Sequence, residues 1–172
     1  NPDYAVTGVQ TCALPIWLRL YLDLEKLRFQ NKFSYEIIFS DDVATDSIMI
    51  PNMIIQPFVE NSLWHGILNS GKNGLLTISF GFENVEIESI VSRALIIKVS
   101  DDGIGIKEAK KYKREDHISK GIQIIEERLA LLSEKMNIMK PIMFEDLSNR
   151  NENSHGTEVI ISLPKPLYKI IP

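Results

Sequence analysis

The side chains best suited to chemistry in this 172-residue chain lie in four short stretches. The first is Gln56-Pro57-Phe58-Val59-Glu60-Asn61-Ser62-Leu63-Trp64-His65-Gly66. Read as a helix, it turns Phe58, Val59 and Leu63 to a buried side, while Asn61 and His65, four apart, share another face. A carboxamide and an imidazole on one face can coordinate a metal and touch phosphate oxygens, although alone such a pair is ordinarily solvated or capping. The second is Val99-Ser100-Asp101-Asp102-Gly103-Ile104-Gly105-Ile106, directly after a strand-like run. Its glycines permit positive φ and close approach of the backbone to a ligand. Asp101, at a strand end, can accept a hydrogen bond from an exocyclic amino group such as adenine N6, though Asp-Gly is also ordinary turn chemistry. The third, Ser119-Lys120-Gly121-Ile122-Gln123, opens a helical pattern, where free N–H groups and positive potential suit a phosphate. The polar segment before it can fold over a ligand as a lid, or be a plain surface loop. The fourth is Gly156-Thr157 ahead of the alternating run EVIISLP.

The elements that must position these stretches follow from periodicity. Residues 1–16, NPDYAVTGVQTCALPI, are nearly uncharged and show no clean period. The run VTGVQTCALPI resembles a translated sequencing adapter, so residues 1–16 are expected to be a non-native or disordered leader outside the fold. From Trp17 an apolar stripe of Leu18, Leu20, Tyr21, Leu24 and Leu27 predicts a helix over 17–30. Phe33 to Phe39 reads as a strand, and Pro51 as the first turn of a helix reaching about Asn69. Two or three strands of a meander follow between Leu76 and Val99, then a glycine-containing loop at 101–106 and the very polar KEAKKYKREDHISK. Ile122, Ile125, Leu129 and Leu132 mark a second long helix over about 120–136. Pro141 to Glu145 and Thr157 to Leu163 read as closing strands, with 165–172 as a tail. The expected architecture is α+β: a two-layer sandwich with helices on one face of a mixed, mostly antiparallel sheet.

Bulk properties narrow the possibilities. The chain is long enough for one domain with a real core. A net charge of −4 gives no reason to expect nucleic acid or an anionic membrane as partner. A phosphorylated ligand would therefore have to be held by local N–H groups or a metal. The single cysteine, Cys12, rules out an internal disulfide and suits a reducing cytoplasm. No apolar run approaches the roughly 18 to 20 residues that span a bilayer.

Taken in order, the four stretches resemble the N box, G1 box, lid with G2 box, and Gly-Thr strand of the ATP-binding superfamily of gyrase, heat-shock chaperone, histidine kinase and MutL. The LytS-like branch of sensor histidine kinases is the closer resemblance, through YLDLEKLRF at 21–29, IPNMIIQPFVENSLWHG at 50–66 and Glu127-Arg128-Leu129. The resemblance covers about 17–164 and implies a histidine-kinase-type ATP-binding domain. It implies that Asn61 binds the Mg²⁺ bridging the ATP phosphates, that His65 lies near those phosphates, and that Asp101 holds the adenine amino group. Gly103 and Gly105 would let the backbone pass close to the nucleotide, Gly121 would offer N–H groups to the phosphates, and Thr157 would sit beside Asp101 under the adenine. Two positions depart from the pattern: Gln123 replaces the second glycine of the G2 box, and Trp64 replaces a basic residue often found three after the N-box asparagine.

The superfamily's ATP hydrolases place a glutamate four residues before that asparagine; here Pro57 stands there and cannot act as a base. Glu60, next to Asn61, points about 100° around the helix, a poor substitute that can at most polarise a nucleophile. Phosphoryl transfer is therefore expected rather than hydrolysis, with positioning and Mg²⁺ supplied here and the attacking histidine elsewhere. None of His65, His117 and His155 sits in the family's acceptor motif. The implied partners are the dimerisation and phosphoacceptor domain of the same kinase and a response regulator. The implied setting is the cytoplasm, beneath a parent anchored in the inner membrane. Gln123 and Trp64 instead motivate a docking module that binds nucleotide weakly or not at all. An anti-sigma-type serine kinase would share the ATP site, but YLDLEKLRF speaks against it.

Overall fold

A computed structural model of the chain describes residues 14–44, 48–50, 53–87, 90–112, 121–127, 129, 141–150, 154–165 and 167–170. Five strands form the main sheet in the order β1-β3-β4-β6-β5, comprising β1 (Phe33–Phe39), β3 (Gly74–Ile87), β4 (Ile90–Asp101), β5 (Ile142–Asp146) and β6 (Thr157–Pro164). β1 runs parallel to β3 and every other pairing is antiparallel. Residues Ile37, Ile78, Val99 and Val159 face one another across four strands, so one register row supplies the inner face. That is the mixed, mostly antiparallel sheet and α+β class the sequence led us to expect. Against it pack α1 (Leu14–Arg28), α2 (Gln56–Asn61) with the π-helical turn Ser62–Ile67 and the 3₁₀ turn Leu68–Ser70, and a helical segment α4 (121–127). Phe58, Leu63, Ile67, Ile122 and Ile125 join Leu18 and Leu22 in one core cluster. Each fully buried side chain of this size stabilises the fold by about 1.5–3 kcal/mol.

Of the stripe predicted for α1, Leu18 is buried and Tyr21 packs against the core, but the other three members do neither. Leu18, Leu22, Glu25 and Phe29, spaced 4-3-4, turn inward, whereas Leu20, Leu24 and Leu27 are 60%, 66% and 70% exposed. α1 is apolar on two faces, and only contact with the sheet chooses between them. It also begins at Leu14, inside the segment set aside as leader.

Three further expectations are corrected. The helix read from Pro51 begins at Gln56; Met53, at φ +61, turns the chain immediately before it, and Pro51 lies outside the described residues. The stretch after Gly105, read as loop and lid, starts with a helix, α3 (Gly105–Tyr112), while 113–120 lie outside the described residues. Its first turn is held from afar: Asp146 accepts from the Lys107 N–H at 2.8 Å, and Lys107 Nζ reaches Asn149 at 2.6 Å. Finally, 167–170, read as part of a tail, are tied in: Leu167 and Tyr168 are buried, and β7 (Lys169–Ile170) pairs with β2 (Ile48–Met49).

Candidate functional site

Asp101 ends β4 opposite Thr157, the first residue of β6. Both are buried, at 2% and 7% exposure. The ladder thus brings the second and fourth sequence stretches into contact although 56 positions separate those residues (157 − 101). Asp101 Oδ1 accepts from the Gly103 N–H at 2.9 Å, which fixes the carboxylate plane. Oδ2 and the neighbouring Ser62 Oγ are buried and make no well-aligned hydrogen bond, although the Ser62 hydroxyl and the Thr157 N–H lie close enough to favour the charged carboxylate. Burial pushes the Asp101 carboxyl up to about 6, against the pull of Ser62, Gly103 and Thr157, with Asp102 adding to the rise. An unsatisfied acceptor of this kind costs about 1–3 kcal/mol in a structural setting and suits a site that receives a donor.

The first stretch closes over this carboxylate. The Gly66 carbonyl accepts from the Ile104 N–H at 3.3 Å. A Cβ at Gly66 would meet Asp101 Oδ1 at 2.5 Å, and one at Gly103 would run into the Gly66 backbone. The two glycines are therefore small because the N-box turn and the loop after β4 lie against each other. Gly105 is needed for a different reason, its φ of +77 at the start of α3. Asp102 is structural: its carboxylate accepts from the Leu75 N–H at 2.7 Å and pins the start of β3.

Asn61 is part-exposed where α2 passes into the π-helical turn, and His65 is part-exposed within that turn. Wide turns of this type recur at functional sites. Glu60 accepts from Gln56 Nε2 at 2.9 Å, and its charge bears on the phenol of Tyr21 in α1. Gly121 lies in the helical segment 121–127, which the core holds through Ile122 and Ile125; Gln123 is exposed, and Ser119 and Lys120 lie outside the described residues. Trp64 is engaged by the end of α1, edge-on to Phe29 just past it at 5.0 Å with the Arg28 guanidinium 5.5 Å from its ring.

Sequence reading missed Ser62 and Gly66 as parts of the site. Ser62 gave no signal, since a lone serine on a helix is usually solvated. Gly66 did give one: glycine ending an otherwise apolar helical run asks for a close neighbour. Among the described residues, no group of three or more His, Cys, Asp and Glu side chains is placed to hold a metal. A cation here would need phosphate oxygens to complete its shell.

No protein-family model matches the chain. Over 91 residues, 53% of this chain, it is 36% identical to the sensor protein LytS of Oceanobacillus iheyensis, of which that stretch is 14%. Over 88 residues, 50% of this chain, it is 38% identical to the sensor protein LytS of Staphylococcus epidermidis, of which that is 13%. The matched stretch spans between 13% and 29% of the length of the curated relatives. The catalytic domain of histidine kinase ThkA, in a nucleotide-free form, matches with a TM-score of 0.52 over 92% of this chain and 99% of its own, at 14% identity. The chain has the fold of a histidine-kinase catalytic domain and is similar in sequence to LytS sensor proteins.

Proposed function

We propose that this domain binds Mg²⁺-ATP and donates the γ-phosphoryl group to a histidine on the dimerising, phosphoacceptor part of a LytS-like sensor kinase. The observation that carries this reading is the buried Asp101 carboxylate, with Oδ2 lacking a well-aligned partner beside Gly66, Gly103 and Thr157. An acceptor buried among close-packed backbone fits a flat amine donor such as adenine N6 better than it fits any internal role. Asn61 supplies one hard oxygen, which suits Mg²⁺, a cation that takes few protein ligands and completes its shell with phosphate oxygens and water. When bound, the ion neutralises phosphate charge; the chain's own part is to hold the adenine at Asp101 and the phosphate end at Asn61, His65 and Gly121. Pro57, buried in the first turn of α2, offers no base for water, which favours transfer over hydrolysis.

α1 supports the same reading. Trp17, Leu20, Leu24 and Leu27 are exposed at 3-4-3 spacing, the heptad seam that a helical bundle buries. We read this seam as the surface on which the acceptor-bearing helices lie, with a response regulator taking the phosphoryl group afterwards. No helix among the described residues is long and apolar enough to cross a membrane. Work at the cytoplasmic side of an inner-membrane parent is part of the proposal. Trp64, one of the two departures that suggested a docking module, packs against Phe29, so its ring has a role that does not require losing the nucleotide.

Calorimetric titration with a non-hydrolysable ATP analogue tests the reading. Binding is expected with Mg²⁺, and Asn61→Ala should weaken it by at least about 10-fold, roughly 1.4 kcal/mol. Equal affinities of the wild type and Asn61→Ala in Mg²⁺ would remove Asn61 from the site. Incubated with radiolabelled ATP and Mg²⁺, the 172-residue chain is expected to carry no label of its own. Acid-labile phosphohistidine on it would overturn the donor-only assignment.

A further inference from the structure

We propose that Arg28 is a positioning residue for Asn61, acting through Trp64, so that the seating of α1 sets how tightly the Mg²⁺ complex of the nucleotide is held. The inference rests on the reading of Asn61 given above and concerns how that residue is held in place.

The contact between α1 and the N-box helix is unlike the rest of the interior. Phe58 of the N-box helix meets Phe144 of the sheet at 6.1 Å, but this seam joins aromatic rings to a cation and a carboxylate. Arg28 Nη1 lies 3.3 Å from Glu25 Oε1, and the Glu25 side chain is only 11% exposed. Its guanidinium also lies 5.6 Å from the Phe29 ring and 5.5 Å from the Trp64 ring, while Phe29 and Trp64 meet edge to face at 5.0 Å. One planar cation thus neutralises a buried carboxylate on α1 and caps an aromatic side chain of the N-box helix. One turn earlier on α1, the buried Tyr21 hydroxyl has no hydrogen-bond partner and feels the charges of Glu60 and Glu25. A seam with an orphaned hydroxyl and like-signed carboxylates is weaker than the aliphatic packing around it, and so more readily reset.

Where this seam meets the site gives it consequence. Trp64 lies in the π-helical turn Ser62–Ile67, and Asn61 is the residue immediately before that turn. The far end of the turn is fixed, because Gly66 sits against Asp101 and Gly103 without room for a Cβ. Its near end is held to α1 by Trp64. With the turn held at Gly66 by the site and at Trp64 by α1, a shift of α1 is passed through Trp64 to Asn61 at the entry of the same turn. Arg28 touches neither nucleotide nor metal and acts only through Trp64.

Arg28→Lys tests this while keeping a cation for Glu25, so folding is retained; a compact ammonium does not reproduce the flat stacking of a guanidinium. Titrated with a non-hydrolysable ATP analogue, Arg28→Lys is expected to bind about 3- to 5-fold more weakly in Mg²⁺. In EDTA its affinity should match that of the wild type. In an Asn61→Ala background the Arg28→Lys loss should vanish, as a double-mutant cycle requires of a residue acting through Asn61. Equal losses with and without Mg²⁺, the same factor in both backgrounds, or no loss at all would overturn the proposal. If instead Asn61→Ala alone leaves Mg²⁺-dependent affinity unchanged, the metal assignment itself fails, and this inference with it. If Asn61→Ala weakens binding and Arg28→Lys does not, only the positioning role is lost.

Discussion

Asp101→Asn is expected to abolish adenine-nucleotide binding and, at pH 7.5, to make the nucleotide-free domain harder to melt. The carboxyl is buried, and burial raises it from an ordinary 3.8 to about 6. A raised acid means that the folded state prefers the protonated form. Its stabilising contribution is complete below about 4, the unfolded value, and is lost as pH climbs through about 6. Roughly 1.4 kcal/mol per pH unit over that interval amounts to about 3 kcal/mol held against the ionised apo domain. Asparagine has the same shape, keeps an oxygen for the Gly103 N–H that Asp101 Oδ1 now accepts at 2.9 Å, and points an N–H₂ at the Ser62 hydroxyl. The variant should therefore melt higher at neutral pH, by something on the order of 5–10 °C, and should lack the downward slope of the wild type between pH 4.5 and 7. Parallel slopes in wild type and variant would show that the Asp101 charge is not the destabilising element.

Ligand binding should depend on pH in the opposite sense. An amine donor prefers the carboxylate to the neutral acid, so nucleotide affinity is expected to be highest above about 6 and to decline as pH falls through it. The same group makes the empty domain more stable in acid and the loaded domain tighter at neutral pH. Asparagine removes both dependences, because its amide presents a donor where the ligand also presents one.

Much of this site could be read in the sequence because its parts are local motifs. Alternation fixed the limits of β1, and Asp101-Asp102-Gly103 marked a strand end with its turn. The resemblance placed Thr157 beside Asp101, and the β4–β6 ladder pairs them. What escaped depends on contacts between distant residues. The exposed seam of α1 is as regular in spacing as the face it buries, and Leu18, Leu22, Glu25 and Phe29 face the core because Phe29 has Trp64 and Phe33 to meet. α3 was read as loop because GIKEAKKY is short, opens on a glycine and carries few apolar residues; the Asp146 carboxylate, 39 residues from Lys107, satisfies its exposed first turn. Trp64 looked like the loss of a phosphate contact because its partners, Arg28 and Phe29, lie on another helix.

Gly156→Ala is expected to cost the domain most or all of its stability, on the order of 4 kcal/mol or more, where Gly71→Ala costs about 1–2. Both glycines have positive φ, +114 at Gly156 and +68 at Gly71. The Gly71 value lies in the left-handed region that other residues can visit, that of Gly156 lies outside it, and their surroundings differ as well. Nothing lies within 4 Å of a Cβ at Gly71, so alanine there meets backbone strain alone. A Cβ at Gly156 would run into the Asp101 carbonyl oxygen, with the carbonyl carbon at 2.7 Å and Asp102 Cα at 2.9 Å. Those atoms are backbone at the end of a central strand and cannot swing aside as a side chain would. Relief requires β6 to part from β4 at Asp101 and Thr157, the pair on which the proposed adenine site is built. Urea denaturation of the two variants measures the difference, and equal losses would mean that the strand ends are looser than their packing implies. The comparison with Asp101→Asn separates two ways of losing the ligand. Displacing the backbone under Asp101 should lower stability and binding together, whereas neutralising its carboxylate should lower binding while stability rises.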